Sequence, residues 1–446
     1  MPALRYALAE LLRGLGLAPV WTPAAGAALY AGPRPESAPP GALRLRLSDA
    51  TWAALARPAV PDVHALGRLA VEGQCVPLPV GPGGVPAADA HAVVDADVLG
   101  SAFWWLAGLQ ETATRARDAH GRFPTGASIQ AALGTPGAPY AEAPVDSYRV
   151  WLGDALRRLG VAGPGRTWGG ARWAVALTHD LDAAHTPRLR AFAGEMLRGQ
   201  PRRALARAVG PDARQASLDA LVGLARRHGT RSTLFAKTVR PGSPHDVPYR
   251  VRGAFRDRLR RLAADGFEVG LHPGYASHDH AGRLAAERAL LETALGAAPR
   301  LVRSHFLRWS DSATPRLYAR SGFAVDSTLG FADEVGFRRG TAHPFRLWDA
   351  RAQAVSSLWE APLAAMDTAL FTHLGLDADA AGRRLDAVFD AARRGGGLAV
   401  LLWHPAMDGN PAWTRQLDVL DHALGRASAA GAALGPLGAL VDGWRA

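Results

Sequence analysis

The sequence predicts an α/β protein in which a parallel sheet closes into a distorted (β/α) barrel of about seven strands, preceded by a smaller α/β domain. From residue 166 onward, short apolar segments alternate with helix-length segments, which is typical of parallel sheets covered by helices. The chain of 446 residues also exceeds what one hydrophobic core usually serves. We therefore expect two domains, an N-terminal α/β domain at 1–165 and the barrel at 166–446.

The first domain shows no catalytic constellation. Met1–Val20 has the leucine spacing of an amphipathic helix, interrupted by charges, rather than that of a secretion signal. A helix at about Asp97–Ala116 carries the most apolar surface and is expected to pack onto the barrel. Gly160–Gly170 is rich in glycine and is interpreted as the linker.

The barrel domain contains apolar strands that end in polar residues. The predicted strands are Trp173–Asp180, Arg231–Ala236, Phe267–His272, Leu301–Phe306, Ala324–Thr328, Leu358–Leu363 and Leu398–His404. Helices are predicted between many of them, at Ser217–Arg227, Phe255–Ala264, Ala281–Leu295, Pro315–Ser321, Asp379–Arg394 and Thr414–Ala427. Because the chemistry of such barrels gathers at the carboxyl ends of the strands, the polar residues there are considered together.

The first barrel strand ends in two acidic residues, Asp180 and Asp182. Strand side chains alternate, so both carboxylates would point to the same side if the strand persists that far. Two close carboxylates ionise together only if a cation or a proton lies between them. A metal site with one acid as ligand and the other as base meets that need, and a solvated turn with a helix-capping Asp is the alternative.

Histidines and one arginine occupy the other strand ends. His272 ends one strand and His278 follows it, while Arg303 and His305 end the next strand and His404 ends the last. Neutral imidazole binds zinc and similar ions tightly, although a single histidine at a strand end is more often structural. Together with the two acids, these residues predict a metal-dependent active site at the mouth of the barrel.

The ordered motifs resemble those of the polysaccharide deacetylase superfamily, carbohydrate esterase family 4 in its broad sense. They are Thr178-His-Asp-Leu-Asp182, Ser232-Thr-Leu-Phe235, Glu268-Val-Gly-Leu-His272, Arg303-Ser-His305 and Leu402-Trp-His404. The resemblance covers about residues 170–446. The segments Asp97–Trp105, His120–Phe123 and Val145–Tyr148 resemble an N-terminal domain fused to such deacetylases in bacteria.

This resemblance implies a role for each matching residue. Asp180 would be the general base, and Asp182 and His272 would be metal ligands. Arg303 would orient the base, and His404 would be the general acid that protonates the leaving amine. A divalent ion, with zinc as the expected metal, would polarise the acyl oxygen.

The third metal ligand is left open by the sequence. The family pattern places a second histidine four residues after the first, and that position is Ala276 here. His278 could ligate only if the loop after His272 bulges, and His305 competes because it lies on a neighbouring strand end. A site in which neither histidine binds, weak or degenerate, is the remaining alternative.

We therefore expect a metal-dependent hydrolase that removes an acetyl or other acyl group from an amide nitrogen of a carbohydrate or glycan precursor. The alternatives are hydrolysis of a non-sugar C–N bond and a degenerate barrel that binds glycans without cutting them. Only a carbohydrate or another N-acetylated small molecule is expected as partner. Oligomeric state is not predicted.

Composition restricts location and partners. The net charge is +11, but the basic residues are almost all scattered arginines, with Lys237 the only lysine, so nucleic-acid binding is not expected. The chain lacks an apolar run long enough to cross a membrane, and with no secretion signal we expect a cytoplasmic protein. The lone Cys75 fits such a compartment and is expected to be buried.

Overall fold

The computed structural model describes most of the chain. The described residues are 2–20, 29–32, 43–46, 61–62, 66–72, 74–80, 93–94, 97–133, 139–161, 163–185, 188–209, 212–238, 243–247, 249–406 and 412–446. Among these residues, no helix has the length and the apolar character needed to cross a bilayer.

The elements alternate as expected after residue 166. The strands are Leu29–Gly32 (β1), Leu43–Arg46 (β2), Gly67–Val71 (β3), Gln74–Leu78 (β4), Val93–Val94 (β5), Ala174–Leu181 (β6), Thr233–Ala236 (β7), Glu268–Leu271 (β8), Leu301–Val302 (β9), Val325–Asp326 (β10), Phe345–Asp349 (β11), Ala354–Glu360 (β12), Leu363–Met366 (β13), Leu398–Leu402 (β14) and Ala433–Gly435 (β15). The α-helices are Pro2–Gly14 (α1), Val98–Leu106 (α2), Leu109–Ala113 (α3), Ile129–Leu133 (α4), Pro144–Arg158 (α5), Arg188–Leu197 (α6), Pro201–Val209 (α7), Ala213–Arg227 (α8), Gly253–Ala264 (α9), Ala281–Leu295 (α10), Thr314–Arg320 (α11), Ala378–Gly395 (α12), Trp413–Ala429 (α13) and Leu437–Arg445 (α14).

The large sheet has the curled form of a distorted barrel, which confirms the predicted fold class. Strands β6 to β10 pair in parallel in chain order, and β14 pairs with the other side of β6. Strand β12 pairs with β10, and β13, which begins three residues after Glu360, pairs with β14. A single segment broken at residues 361–362 therefore supplies the edge strand β13 at one end of the sheet and, at the other end, β12, which lies inside the edge strand β11. Every residue of β6 is buried, as expected for a central strand covered on both faces.

Strand β9 is shorter than the predicted Leu301–Phe306. Its pairing ends at Val302, and the chain then forms a tight turn at His305–Leu307. Phe306 and Leu307 adopt positive φ angles of 60° and 52°. Bulky residues rarely adopt positive φ angles. An apolar run that contains them is therefore predicted to be an extended strand, which is why the predicted strand reaches Phe306.

The predicted helix Asp97–Ala116 is divided into α2 and α3. Gly108 separates them with a φ of 69°, which a glycine adopts without strain. Helix α2 begins at an Asp97 cap, where the carboxylate accepts a hydrogen bond from the Gly100 amide at 2.7 Å. Every residue of α2 is buried, as its apolar composition predicts.

The N-terminal region and the barrel share buried contacts. The described buried apolar residues form a cluster that extends from Leu4 in α1 to Trp444 in α14. The buried Glu111 carboxylate of α3 accepts hydrogen bonds from Arg338 of the barrel at 2.5 and 2.9 Å. The division into domains at residue 165 stays a prediction.

The small sheets lie in the N-terminal region. Strands β1, β2 and β5 form a parallel sheet, and β3 and β4 form an antiparallel pair. In β4, Val76 and Leu78 are buried and Cys75 is exposed. The expectation of a buried Cys75 is therefore wrong, because strand alternation turns this position outward.

Candidate metal centre and active site

The two acidic residues at the end of β6, Asp180 and Asp182, point towards the same imidazole, that of His272. Asp180 lies within β6 and Asp182 follows its last residue. The Nε2 atom of His272 lies 3.7 Å from Asp180 Oδ2 and 3.3 Å from Asp182 Oδ1. The alternation argument therefore predicted correctly that the two carboxylates point to one side.

Asp182, His272 and His305 form a candidate metal centre. One ligand atom from each lies within 4.8 Å of the others. Asp182 Oδ1 is buried and lies 3.1 Å from Nε2 of His305 and 3.8 Å from Nζ of Lys237. A buried carboxylate beside two imidazole nitrogens is a donor set that fits a divalent cation. Two imidazoles and one carboxylate also leave a coordination position open for substrate or water.

The far side of each imidazole is held in place. Nδ1 of His272 lies 2.7 Å from the Arg303 carbonyl oxygen, which can only accept, so this nitrogen carries the proton and Nε2 is free to ligate. Nδ1 of His305 lies 3.0 Å from a carboxylate oxygen of Asp246. The carbonyl contact selects the His272 tautomer that presents Nε2 to a metal. At His305, Nδ1 also lies 3.1 Å from Nζ of Lys237.

The electrostatics at Asp182 favour its charged form. Burial raises the pKa of this carboxyl, but His272 and His305 outweigh that effect and hold the pKa well below its usual range. An ionised carboxylate is the form that binds a metal.

Arg303 orients Asp180. Its guanidinium is fully buried and donates to Asp180 Oδ1 at 3.1 Å and to Thr178 Oγ1 at 2.7 Å. It also donates to the carbonyl oxygen and the hydroxyl of Ser327 and lies over the Phe235 ring. So many contacts leave the arginine one orientation, and that orientation holds the Asp180 carboxylate in place.

His404, which follows β14 after Trp403, faces the same centre. Its Nδ1 lies 2.6 Å from Asp367 Oδ1, its backbone amide donates to Asp367 Oδ2, and its Nε2 is 3.9 Å from Asp182 Oδ2. Burial lowers the pKa of His404, but the Asp367 carboxylate outweighs this and raises the pKa to about 10. The imidazole is therefore a proton donor at neutral pH.

These side chains open onto one cleft of about 270 Å³. The cleft is lined by His120, Arg122, Asp180, Asp182, His272, His305, Phe306, Leu307, Ala332, Met366, Thr368, Thr372, His373, Leu402 and His404. A bound substrate would thus contact both acids, the candidate ligands and the proton donor.

His278 lies apart from this group in the described residues. Its Nε2 is 3.6 Å from Asp279, and its buried Nδ1 is without a hydrogen-bond partner among the described residues. The loop after His272 is fixed by Glu287, which accepts hydrogen bonds from the Gly274 amide and the Ser277 hydroxyl. With the loop held in this way, His278 is not brought beside Asp182.

Sequence reasoning missed Asp246, Asp367 and Lys237. Lys237 directly follows β7 and Asp367 directly follows β13, so the strand-end signal that identified the other site residues was present for both. Lys237 is buried, and its Nζ lies 3.1 Å from both ring nitrogens of His305 and 3.3 Å from Asp246. Asp246 lies in a loop, where the sequence contains no such signal.

Comparisons with known proteins find only distant similarity. No protein-family model and no curated protein matches the chain. A putative polysaccharide deacetylase from Mycobacterium smegmatis is 21% identical with a TM-score of 0.43, over 64% of this chain and 93% of that one. An allantoinase is 17% identical with a TM-score of 0.44, over 63% and 94%. A probable polysaccharide deacetylase from Pseudomonas aeruginosa PAO1 is 18% identical with a TM-score of 0.43, over 63% and 94%.

Similarity at this level does not transfer an activity from one protein to another. The function proposed below therefore depends on the geometry of the site. Two of these three solved structures are described as polysaccharide deacetylases.

Proposed function

We propose that the protein is a metal-dependent hydrolase that removes an acetyl or other acyl group from an amide nitrogen on a carbohydrate or glycan precursor. The observation that carries the proposal is the convergence on one cleft of a candidate metal triad, an arginine-held carboxylate and a carboxylate-held histidine. Amide hydrolysis needs these three parts: an electrophilic catalyst, a base for water and an acid for the leaving amine.

Asp182, His272 and His305 would hold the metal, with zinc as the expected ion. A divalent ion there would supply Lewis acidity to the acyl carbonyl. The buried Oδ1 of Asp182, which faces Nε2 of both histidines, and the two imidazoles with occupied Nδ1 atoms support this ligand set. His305 would take the place of the second family histidine, whose position is Ala276 here.

Asp180 would act as the general base. Its Oδ1 is held by Arg303, and its Oδ2 lies 3.7 Å from Nε2 of His272, at the edge of the candidate metal centre. A water attacking the carbonyl carbon would lose its proton to this carboxylate. Arg303 would keep the carboxylate aimed at that water.

His404 would act as the general acid. Nε2 faces the cleft while Nδ1 is tied to Asp367, so the proton on Nε2 is the one available for transfer. Its transfer to the amide nitrogen would accompany cleavage of the C–N bond.

Acetate release tests the proposal. N-acetylated nucleotide sugars and oligosaccharides, with small non-sugar amides alongside, are incubated with the wild-type protein, with Asp180→Asn and with Asp386→Asn. Asp386 is a half-exposed partner of Arg426 and serves as the control. We expect chelation to abolish release, zinc to restore it, and Asp180→Asn to lower turnover by about 10²- to 10⁴-fold.

Each other outcome has a defined meaning. Release that persists after chelation, or full activity in Asp180→Asn, contradicts the mechanism. If only the non-sugar amides are turned over, the substrate is not a carbohydrate and the protein hydrolyses another kind of C–N bond. Failure of the reconstituted protein to hold a metal, together with glycan binding, supports a degenerate binding barrel. The cytoplasmic location and the absence of nucleic-acid and membrane partners stay predictions.

A further inference from the structure

A segment of the N-terminal region reaches the candidate metal centre. Residues 118–122 lie before the barrel in the chain, yet His120 and Arg122 line the same cleft as Asp180 and His404. In the sequence, His120–Phe123 is one of the segments that resemble the fused N-terminal domain, and that resemblance gives it no chemical role. Its position raises the question of what the N-terminal region does for the site.

The segment lies against the turn that carries His305. In this turn Phe306 and Leu307 have φ angles of 60° and 52°. Such conformations are unfavourable for bulky residues and persist only where surrounding contacts hold them. If the turn relaxed, the His305 imidazole would leave its position 3.1 Å from Asp182 Oδ1.

Three contacts join the segment to the turn. Arg122 Nη1 donates to the Phe306 carbonyl oxygen at 3.1 Å. Arg308, which follows the turn, donates from Nε to the His120 carbonyl oxygen at 2.9 Å. The His120 and Phe306 rings pack with their centroids 4.7 Å apart.

Arg122 is itself held rigidly. Asp118 Oδ2 accepts from Arg122 Nε at 2.6 Å, and Asp118 Oδ1 accepts from the backbone amides of His120 and Arg122 at 2.9 and 2.8 Å. One carboxylate thus fixes both the loop and the guanidinium that it presents. A pre-organised guanidinium loses little entropy when it binds the carbonyl.

We infer that Asp118 and Arg122 are positioning residues of the metal centre, which hold the strained His305–Leu307 turn so that His305 can complete the ligand set. The inference rests on the proposed function, because it takes His305 as a metal ligand. It assigns a task to the N-terminal region: that region is part of the site rather than an appended module.

Metal affinity of the full-length protein tests the inference. The zinc dissociation constant is measured by competition with a chromophoric chelator, and the visible spectrum of bound Co²⁺ reports the ligand geometry. The variants are Arg122→Gln, Arg122→Lys and Asp118→Asn. The matched control is Arg117→Gln, since the Arg117 guanidinium donates only to carbonyl oxygens that precede it in the chain, those of Glu111, Thr114 and Ala116, among the described contacts.

We expect Arg122→Gln and Asp118→Asn to weaken zinc binding by about 10- to 100-fold and to alter the Co²⁺ spectrum, as loss of outer contacts to a ligand does. Arg122→Lys should recover part of the affinity, because an ammonium can still donate to the Phe306 carbonyl. Arg117→Gln should match the wild type in both measurements.

Two results would overturn the inference. One is wild-type affinity and an unchanged Co²⁺ spectrum in Arg122→Gln. The other is an equal loss of affinity in Arg117→Gln, which would indicate a general effect on the loop. If the wild-type protein itself binds no metal while retaining its fold, the proposed function fails as well, and the two failures are thereby told apart.

Discussion

At the scale of single residues, the chemistry of the site depends on what touches the far side of each side chain. His272 and His305 present Nε2 to Asp182 because their Nδ1 atoms meet the Arg303 carbonyl and Asp246. His278 has neither the position nor such a partner among the described residues. Residue type and spacing left His278 and His305 open as candidates for the third ligand. Contacts between distant parts of the chain place His305, and not His278, beside Asp182.

The Asp367 contact of His404 predicts a pH dependence. The Asp367 carboxylate outweighs burial and raises the pKa of His404 to about 10, so the protonated acid persists through neutral pH and is lost as the pH rises towards 10. Asp367→Asn removes this charge and should lower the pKa. The alkaline fall in kcat should therefore begin at a lower pH than in the wild type. A pH–rate profile with an alkaline limb identical to that of Asp386→Asn would contradict this role.

Lys237 predicts a link between stability and metal binding. Its buried ammonium lies 3.3 Å from Asp246 and 3.8 Å from Asp182. Lys237→Met leaves these carboxylates without that cation and should lower the free energy of unfolding by about 3–5 kcal/mol. Saturating zinc should reduce this loss, because it neutralises Asp182 and binds the folded state.

Urea unfolding with and without zinc measures the Lys237 effect. Arg316→Met removes a more exposed ion pair with Asp349 and should cost at most about 1 kcal/mol under both conditions. An equal loss with and without zinc in Lys237→Met would refute the link.

At the scale of elements, most residues of the candidate site were predicted from their position at the ends of strands. Strands β6, β8 and β14 end where the apolar runs end, so their polar tips were identified from the sequence. Strand β9 and the break between β12 and β13 were not, because an apolar run does not reveal a positive φ or an interrupted pairing. Helices α6, α7 and α14 and strands β11 and β15 were also missed.

The junction between α2 and α3 predicts a specific sensitivity. Gly108 has a φ of 69°, and a Cβ there would lie 1.1 Å from Nη1 of the buried Arg339. Arg339 is held by Asp311 and Glu111 and cannot move aside without breaking these ion pairs. Gly108→Ala should therefore lower the free energy of unfolding by about 1–3 kcal/mol.

Gly126→Ala provides the control for the junction. No atom lies within 4 Å of a Cβ placed at Gly126, so its effect should stay within about 0.5 kcal/mol. Thermal or urea unfolding compares the two variants. Equal stability of both would show that the junction tolerates a side chain.

At the scale of the whole molecule, the barrel contains a buried acidic pair that makes its stability depend on pH. Asp326 of β10 and Glu360 of β12 are register partners and are fully buried. Burial, reinforced by the neighbouring carboxyl, raises the pKa of Glu360 well above its usual range, and burial raises the pKa of Asp326 to about 6. The folded protein therefore binds these protons more tightly than the unfolded chain does.

The sign of the effect follows from linkage. The stabilising contribution of the Asp326 proton is complete below the unfolded pKa of about 4 and is lost as the pH rises through about 6. The Asp326→Asn variant has no ionisable group at this position. Its free energy of unfolding relative to the wild type should therefore rise between pH 4 and pH 7. A difference that stays constant over this range, as expected for the exposed control Asp390→Asn, would refute the assignment.

The sequence by itself determined the α/β barrel class and the place of Asp180, Asp182, His272 and His404 at strand ends. These features depend on local apolar patterning and on alternation along a strand, which a sequence records directly. Only the tertiary structure placed His305, and not His278, beside Asp182 and brought Asp246 and Arg122 to the candidate site. Those outcomes depend on backbone φ angles and on contacts between residues far apart in the chain, which no local pattern encodes.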